Sequence, residues 1–254
     1  MFHAGLVSIT FRKYTADEIV ALAVQARLEG IEWGADIHVL PGDIWRAREV
    51  RNLTVSQGLT VTAYGSYYRL GLDPASFDAV LASAIALGAP SIRVWAGQAG
   101  SRSADEGCWG RVVQDGRRIA GLAAGAGLSI TMEFHNDTLN DSASSTRRLV
   151  QEIGASNLFT GWQPLDGLTC AENAQILETI LPWLGNVHVF HWFPGHERHL
   201  LAEGAADWDT YLAFLPGNSR KRFLMLEFVK DDSPGALLDD ARTLHGWLKG
   251  KRAK

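Results

Sequence analysis

Eight short apolar runs recur along this chain, each followed by a longer amphipathic run, and this alternation constrains the fold more than any other feature. The strand-like runs cover 4–9, 30–34, 59–65, 91–95, 128–134, 158–162, 186–191 and 222–229. The helix-like runs cover 15–28, 43–57, 74–87, 105–124, 142–153, 171–181, 206–214 and 234–247. Eight strands, each followed by a helix at about 32 residues per unit, is the count a closed (β/α)8 barrel needs. The predicted fold is therefore α/β, a single (β/α)8 TIM barrel over residues 1–254, with a frayed basic end at 249–254. No linker, low-complexity segment or composition break calls for a second domain.

Local punctuation agrees with these boundaries. Thr15-Ala16-Asp17-Glu18 reads as a capping box opening the first helix. Asp73-Pro74 reads as an N-cap followed by proline at the first helical position, with Gly88 closing that helix. Ser233-Pro234 repeats the device before the last helix. The longest irregular stretches, 96–104 and 192–205, both follow strands, which in a barrel puts them on the functional rim.

Composition excludes several classes. Lys and Arg total 24 against 28 Asp and Glu, a net charge of −4, so a strongly basic nucleic-acid binder is ruled out. Two cysteines, Cys108 and Cys170, supply neither a disulfide framework nor a thiolate metal site. The N-terminus shows no signal-peptide pattern and no apolar run is long enough to span a bilayer, so a cytoplasmic protein is expected.

Strand alternation then sorts the faces. In the fifth strand the apolar residues Leu128, Ile130, Met132 and Phe134 face the helices, which turns Glu133 and His135 inward. The same logic points Glu32 inward from the second strand, Arg93 and Trp95 from the fourth, Gln163 from the sixth, His188 from the seventh and Glu227 from the eighth. Glu133, Gln163, His188 and Glu227 thus converge from four consecutive strands at one mouth. A carboxylate ending an apolar strand is costly to bury unpaired. Two of them beside an imidazole and an amide oxygen suit one divalent cation, Mn2+ first, with Mg2+, Co2+ or Zn2+ as alternatives. For each residue alone, a hydrogen bond to a neighbouring loop is the competing reading.

These residues resemble the xylose-isomerase-like barrels, the sugar phosphate isomerase/epimerase group that also contains endonuclease IV. The resemblance rests on Gly30-Ile31-Glu32-Trp33, Leu87-Gly88-Ala89 leading to Ile92-Arg93-Val94, Thr131-Met132-Glu133-Phe134-His135, Gly161-Trp162-Gln163-Pro164, Val187-His188-Val189-Phe190-His191-Trp192 and Leu226-Glu227-Phe228. It implies metal ligands at Glu133, His188 and Glu227, with Gln163 standing where the family has an Asp, so that the site loses one negative charge. The substrate residues of the ketose 3-epimerases are not matched: Leu139 stands where a Glu would, and no Arg follows the seventh strand. The larger His/Asp/Glu set of endonuclease IV is missing as well.

The implied activity is sugar isomerisation or epimerisation by proton transfer beside a carbonyl through a metal-stabilised enediolate, with Glu133 and Glu227 as the catalytic carboxylates. Candidate substrate contacts are His38, Arg93, Trp95, His135, Trp162 and His191. For Arg93, a structural ion pair with Glu32 or Glu133 competes with contact to an anionic substrate group. The alternatives are a keto-sugar or inositol-type lyase or dehydratase on the same site, and a weakly metallated, non-catalytic sugar-binding barrel. The expected partner is a small-molecule sugar or sugar derivative, with no nucleic acid and no membrane, a homo-oligomer being left open. His196 and His199 have the composition of a metal cluster but read as a mobile polar loop.

Overall fold

A computed structural model describes residues 2–193, 196–215 and 221–252. The elements run β1 (Phe2–Val7), α1 (Ala16–Gln25), β2 (Gly30–Gly34), α2 (Ile44–Ser56), β3 (Thr60–Arg69), α3 (Phe77–Leu87), β4 (Ser91–Trp95), α4 (Glu106–Gly125) and β5 (Ser129–Met132). They continue with α5 (Ala143–Ile153), β6 (Leu158–Trp162), α6 (Cys170–Ile180), β7 (Leu184–Val189), β8 (Trp192–Phe193), β9 (Glu197–Arg198), α7 (Ala205–Phe214), β10 (Arg222–Leu226) and α8 (Pro234–Arg252). Strands β1–β7 and β10 close into a parallel barrel in chain order, β10 pairing with both β7 and β1. This is the predicted (β/α)8 architecture.

The main core lies between strands and helices, where Leu6, Ile31, Trp33, Ile92, Val94, Ile130 and Met132 are buried from the strand side. A separate apolar cluster of Val7, Ile9, Phe223 and Met225 fills the barrel interior. The outward phase of Trp33 is explained by its indole, which donates to Thr54 Oγ1 on α2 at 3.1 Å.

The capping box at Thr15 and Glu18 forms as read from the sequence. The helix it opens ends at Gln25, short of residue 28, because Arg27 takes a left-handed φ of 55° and turns the chain toward β2. Gly88 closes α3 at φ 71°. Asp73 does not cap that helix: Pro74–Ser76 forms a separate 3-10 turn, and α3 starts at Phe77. Strand β3 runs four residues past the predicted end at 65, through an irregularity between Gly65 and Arg69, and so carries Tyr67 and Tyr68 within it. The segment read as a mobile loop after β7 forms the short antiparallel pair β8–β9; Pro194 and Gly195 of that segment lie outside the described residues. Helix α8 extends to Arg252, so the basic stretch begins inside it, and Ala253 and Lys254 lie outside the described residues. Among the described residues no helix is long and apolar enough to cross a membrane.

Candidate active site

Polar side chains gather at the C-terminal ends of the strands. Glu32 lies in β2, Arg93 in β4 and His188 in β7, while Glu133, Gln163 and Glu227 directly follow β5, β6 and β10. All six are buried. The pleat turns them into the barrel because the alternate positions are the apolar ones that the helices cover.

Arg93 is the hub. Its Nε donates to Glu32 Oε1 at 2.6 Å, and its Nη1 donates to Glu133 Oε2. His188 continues the network, with Nε2 3.5 Å from Glu32 Oε2 and Nδ1 3.0 Å from Glu227 Oε2. The same Nδ1 lies 3.2 Å from Gln163 Oε1 in hydrogen-bonding geometry. One N–H cannot serve both acceptors, and Glu227 Oε2 has no hydrogen-bond partner among the described residues. Burial is the largest influence on these groups and disfavours their charged forms, yet opposite charge overrides it. Against burial, Arg93 and then His188 hold Glu32 down at about 2. Against burial, Glu227 and Glu32 carry His188 up to about 10. Glu133, Glu32 and Glu227 likewise raise Arg93 despite its burial. Removing one partner from such a network leaves an uncompensated buried charge, a cost of about 3–5 kcal/mol.

Two cavities meet this network. A small one of about 20 Å³, with room for one water molecule, is bordered by Arg93, Thr131, Gln163, Asn186 and His188. The other is the open mouth, about 510 Å³, with Arg93, Glu133, Gln163 and Glu227 among its lining residues. Its remaining lining includes Tyr67, Trp95, His135, Phe190, Trp192 and Phe228. Trp95 is fixed between His135, stacked at 4.6 Å, and the Arg69 guanidinium, 4.0 Å from its ring centre. Phe228 takes a left-handed φ of 51°, uncommon for a bulky residue, immediately after Glu227, and packs edge-on to Phe190.

Of the candidate substrate contacts, Arg93, Trp95 and His135 line the mouth. Trp162 is placed differently. Its ring is buried on the helix side against Trp208 and Tyr211, the phase that the strand pleat requires for the residue before Gln163. His38 is also buried away from the mouth: its Nδ1 is 3.0 Å from Ser8 Oγ, and its ring meets Trp33 edge-on, so it ties the loop after β2 to the 3-10 turn that follows β1. Burial lowers its pKa. His191 faces outward beside His199 and the Gly204 turn, lining a neighbouring cavity of about 300 Å³. His196 lies 3.6 Å from Asp166, and His199 lies 3.2 Å from Glu203, so the two do not form one cluster. Sequence reasoning pointed Glu32 inward and offered it only as an ion-pair partner of Arg93, a pairing that forms. Tyr67, Asp166, Phe190 and Phe228 also reach the mouth; Tyr67, in the aromatic cluster that ends β3, and Phe190, with an inward phase after β7, carried a sequence signal, and Asp166 and Phe228 carried none.

The family model of the xylose isomerase-like TIM barrel matches residues 20–250. The chain belongs to that family. No curated protein sequence matches it. Among solved structures it is similar to a probable 3-DHS dehydratase from Bacillus anthracis, at TM-score 0.79 and 20% identity over 96% of this chain and 99% of the other. It is similar to a 3-keto-D-glucoside 4-epimerase from E. coli, at TM-score 0.71 and 17% identity over 98% and 100%. It is also similar to a xylose isomerase-like barrel from Mycobacterium smegmatis in complex with magnesium, at TM-score 0.70 and 11% identity over 99% and 98%.

A xylose isomerase-like barrel raises the question of a metal at Glu133, Gln163, His188 and Glu227. As folded, this donor set does not fit a divalent cation. Glu133 is engaged by Arg93, both ring nitrogens of His188 face acceptors of the protein, and Gln163 offers a neutral amide. Among the described residues no group of three or more His, Cys, Asp or Glu side chains is arranged to hold a metal ion. The side chains expected to hold Mn2+ are joined here in an ion-pair network with Arg93 and Glu32.

Proposed function

We propose that this barrel is a carbohydrate isomerase or epimerase that moves a proton at a carbon next to a carbonyl, with Glu133 and Glu227 as the proton-carrying groups. The observation that carries this reading is the pair of buried carboxylates at the floor of an aromatic-walled mouth of about 510 Å³, a volume suited to a monosaccharide or a somewhat larger sugar derivative. Aromatic faces such as Trp95 and Phe190 suit the C–H faces of a sugar ring. The family, and the epimerase among the solved relatives, support the same class.

The residues divide the work as follows. Glu227, whose Oε2 is ion-paired with His188 without a well-formed hydrogen bond, takes the proton from the carbon. His188 holds that carboxylate in place and balances its charge. Glu133, oriented by Arg93, starts this step protonated and gives its own proton to the neighbouring position or to the opposite face, so that Glu227 ends the step protonated and both carboxyl groups reset by exchange with water.

A second reading is favoured by one observation, the 3-DHS dehydratase among the similar structures. Abstraction of the same proton followed by loss of a β-hydroxyl as water gives a dehydratase. The test is proton NMR of keto- and aldo-sugars, including 3-keto-glycosides, incubated in D2O with the protein. Deuterium at the carbon beside the carbonyl with interconversion of two sugars supports the first reading, an unsaturated product supports the second, and no exchange across the panel overturns both.

A further inference from the structure

We infer that Arg93 occupies the place a divalent cation would hold at this mouth, so that the positive charge offered to a substrate oxygen belongs to the polypeptide. The inference rests on the proton-transfer reading for what the charge does, and on geometry alone for where it sits.

Three observations support it. First, the guanidinium binds two carboxylates at once, Glu32 through Nε and Glu133 through Nη1. A metal on Glu133 would have to displace it and leave Glu32 without its main partner, and an unpaired buried carboxylate is strongly unfavourable. Second, the backbone is built around the guanidinium. Gly65 of β3 is the register partner of Arg93, and a Cβ at that position would lie 2.7 Å from Nη2 and 2.9 Å from Glu32 Oε1. Third, His188 aims neither ring nitrogen at the mouth: Nδ1 faces Gln163 and Glu227, and Nε2 faces Glu32. The family's Asp, which would favour a cation, is here the neutral Gln163, which instead takes a hydrogen bond from His188.

Arg93 lines the mouth together with Glu133 and Glu227, so it can act on a bound carbonyl. When a carboxylate removes the proton from the adjacent carbon, the C–H electron pair forms the carbon–carbon double bond and the carbonyl π pair moves onto oxygen. The guanidinium donates N–H hydrogen bonds to that oxyanion and remains protonated throughout, because arginine does not give up its proton in proteins. Return of a proton to carbon reverses the electron flow, and no co-reactant is consumed.

The experiment is titration of MnCl2 into the chelator-treated full-length protein, followed by calorimetry and by thermal unfolding. The wild type is expected to show no binding heat and the same melting temperature in MnCl2 and in EDTA. Arg93→Met is expected to melt lower in EDTA and to recover in MnCl2, because the carboxylates it exposes then need another cation. One-to-one Mn2+ binding by the wild type, with a rise in melting temperature that Glu133→Gln removes, overturns the inference. So does a folded Arg93→Met that ignores MnCl2. If that variant does not fold, the wild-type titration decides alone. Absence of sugar turnover would count against the proposed function and leave this titration unaffected.

Discussion

Gly65 and Arg93 are register partners on adjacent barrel strands, and the space a side chain would fill on the first is filled by the guanidinium of the second. Gly65→Ala should therefore destabilise the fold by about 1–3 kcal/mol, the usual cost of overpacking a tight interior. Arg93 cannot swing aside cheaply, since Nε and Nη1 are both tied to carboxylates. Chemical denaturation of the variant and the wild type checks this; equal midpoints would mean that the guanidinium is free to move.

Glu227→Gln keeps the size of the side chain and an acceptor oxygen but removes the group that accepts the proton. Turnover of the substrate found in the sugar panel should fall by about 10²-fold or more, while ligand affinity changes much less. Activity within about tenfold of wild type, a loss below about 1.4 kcal/mol, would remove Glu227 from the proton-transfer role.

Trp95 and Trp162 should separate function from stability. Trp162 is buried against Trp208 and Tyr211, so Trp162→Ala should cost about 3–5 kcal/mol of stability, as large aromatic truncations in cores do. Trp95 lines the mouth, so Trp95→Ala should raise KM by about tenfold or more with a smaller change in melting temperature. Steady-state kinetics and thermal unfolding of both variants decide the assignment, and the reverse pattern would place Trp162 in the substrate site.

Asp240 gives a pH dependence with a definite sign. Burial raises its pKa to about 6, although the Leu201 N–H, 2.8 Å from Oδ1, pulls the other way. The folded protein thus holds this proton more tightly than the unfolded chain. Its contribution is fully present below pH about 4, the ordinary Asp range, and is lost as the pH rises through about 6. Asp240→Asn removes the ionisation and keeps an acceptor for Leu201. The variant should therefore gain stability relative to wild type between pH 4 and 7, on the order of 1–3 kcal/mol. Denaturation curves across that range test it, and a pH-independent difference would refute the assignment.

The eight β–α units, their chain order and the inward phase of Glu32, Arg93, Glu133, His188 and Glu227 were readable from the sequence alone. Hydrophobic periodicity is a local property, and the pleat fixes which side of a strand each residue takes. Three of the strands, Gly30–Gly34, Ser91–Trp95 and Leu158–Trp162, have the predicted bounds for that reason. What periodicity could not supply was distance between strands. Which carboxylate meets which cation depends on the stagger of the barrel and the reach of long side chains, and Arg93 reaches past its own level to Glu133, two residues beyond its register partner Thr131. The side chains read as four ligands around a metal belong in this structure to an arginine-centred network, of which the ion pair of Arg93 with Glu32 or Glu133 was the part already readable. The same limit explains His38 and Trp162. Loop closure drew the first into the wall, and the helix layer claimed the second. Sequence determined which groups enter the barrel, because alternation and burial act residue by residue. Tertiary structure decided how they are paired, because buried charges settle on whichever partners the closed barrel brings within reach.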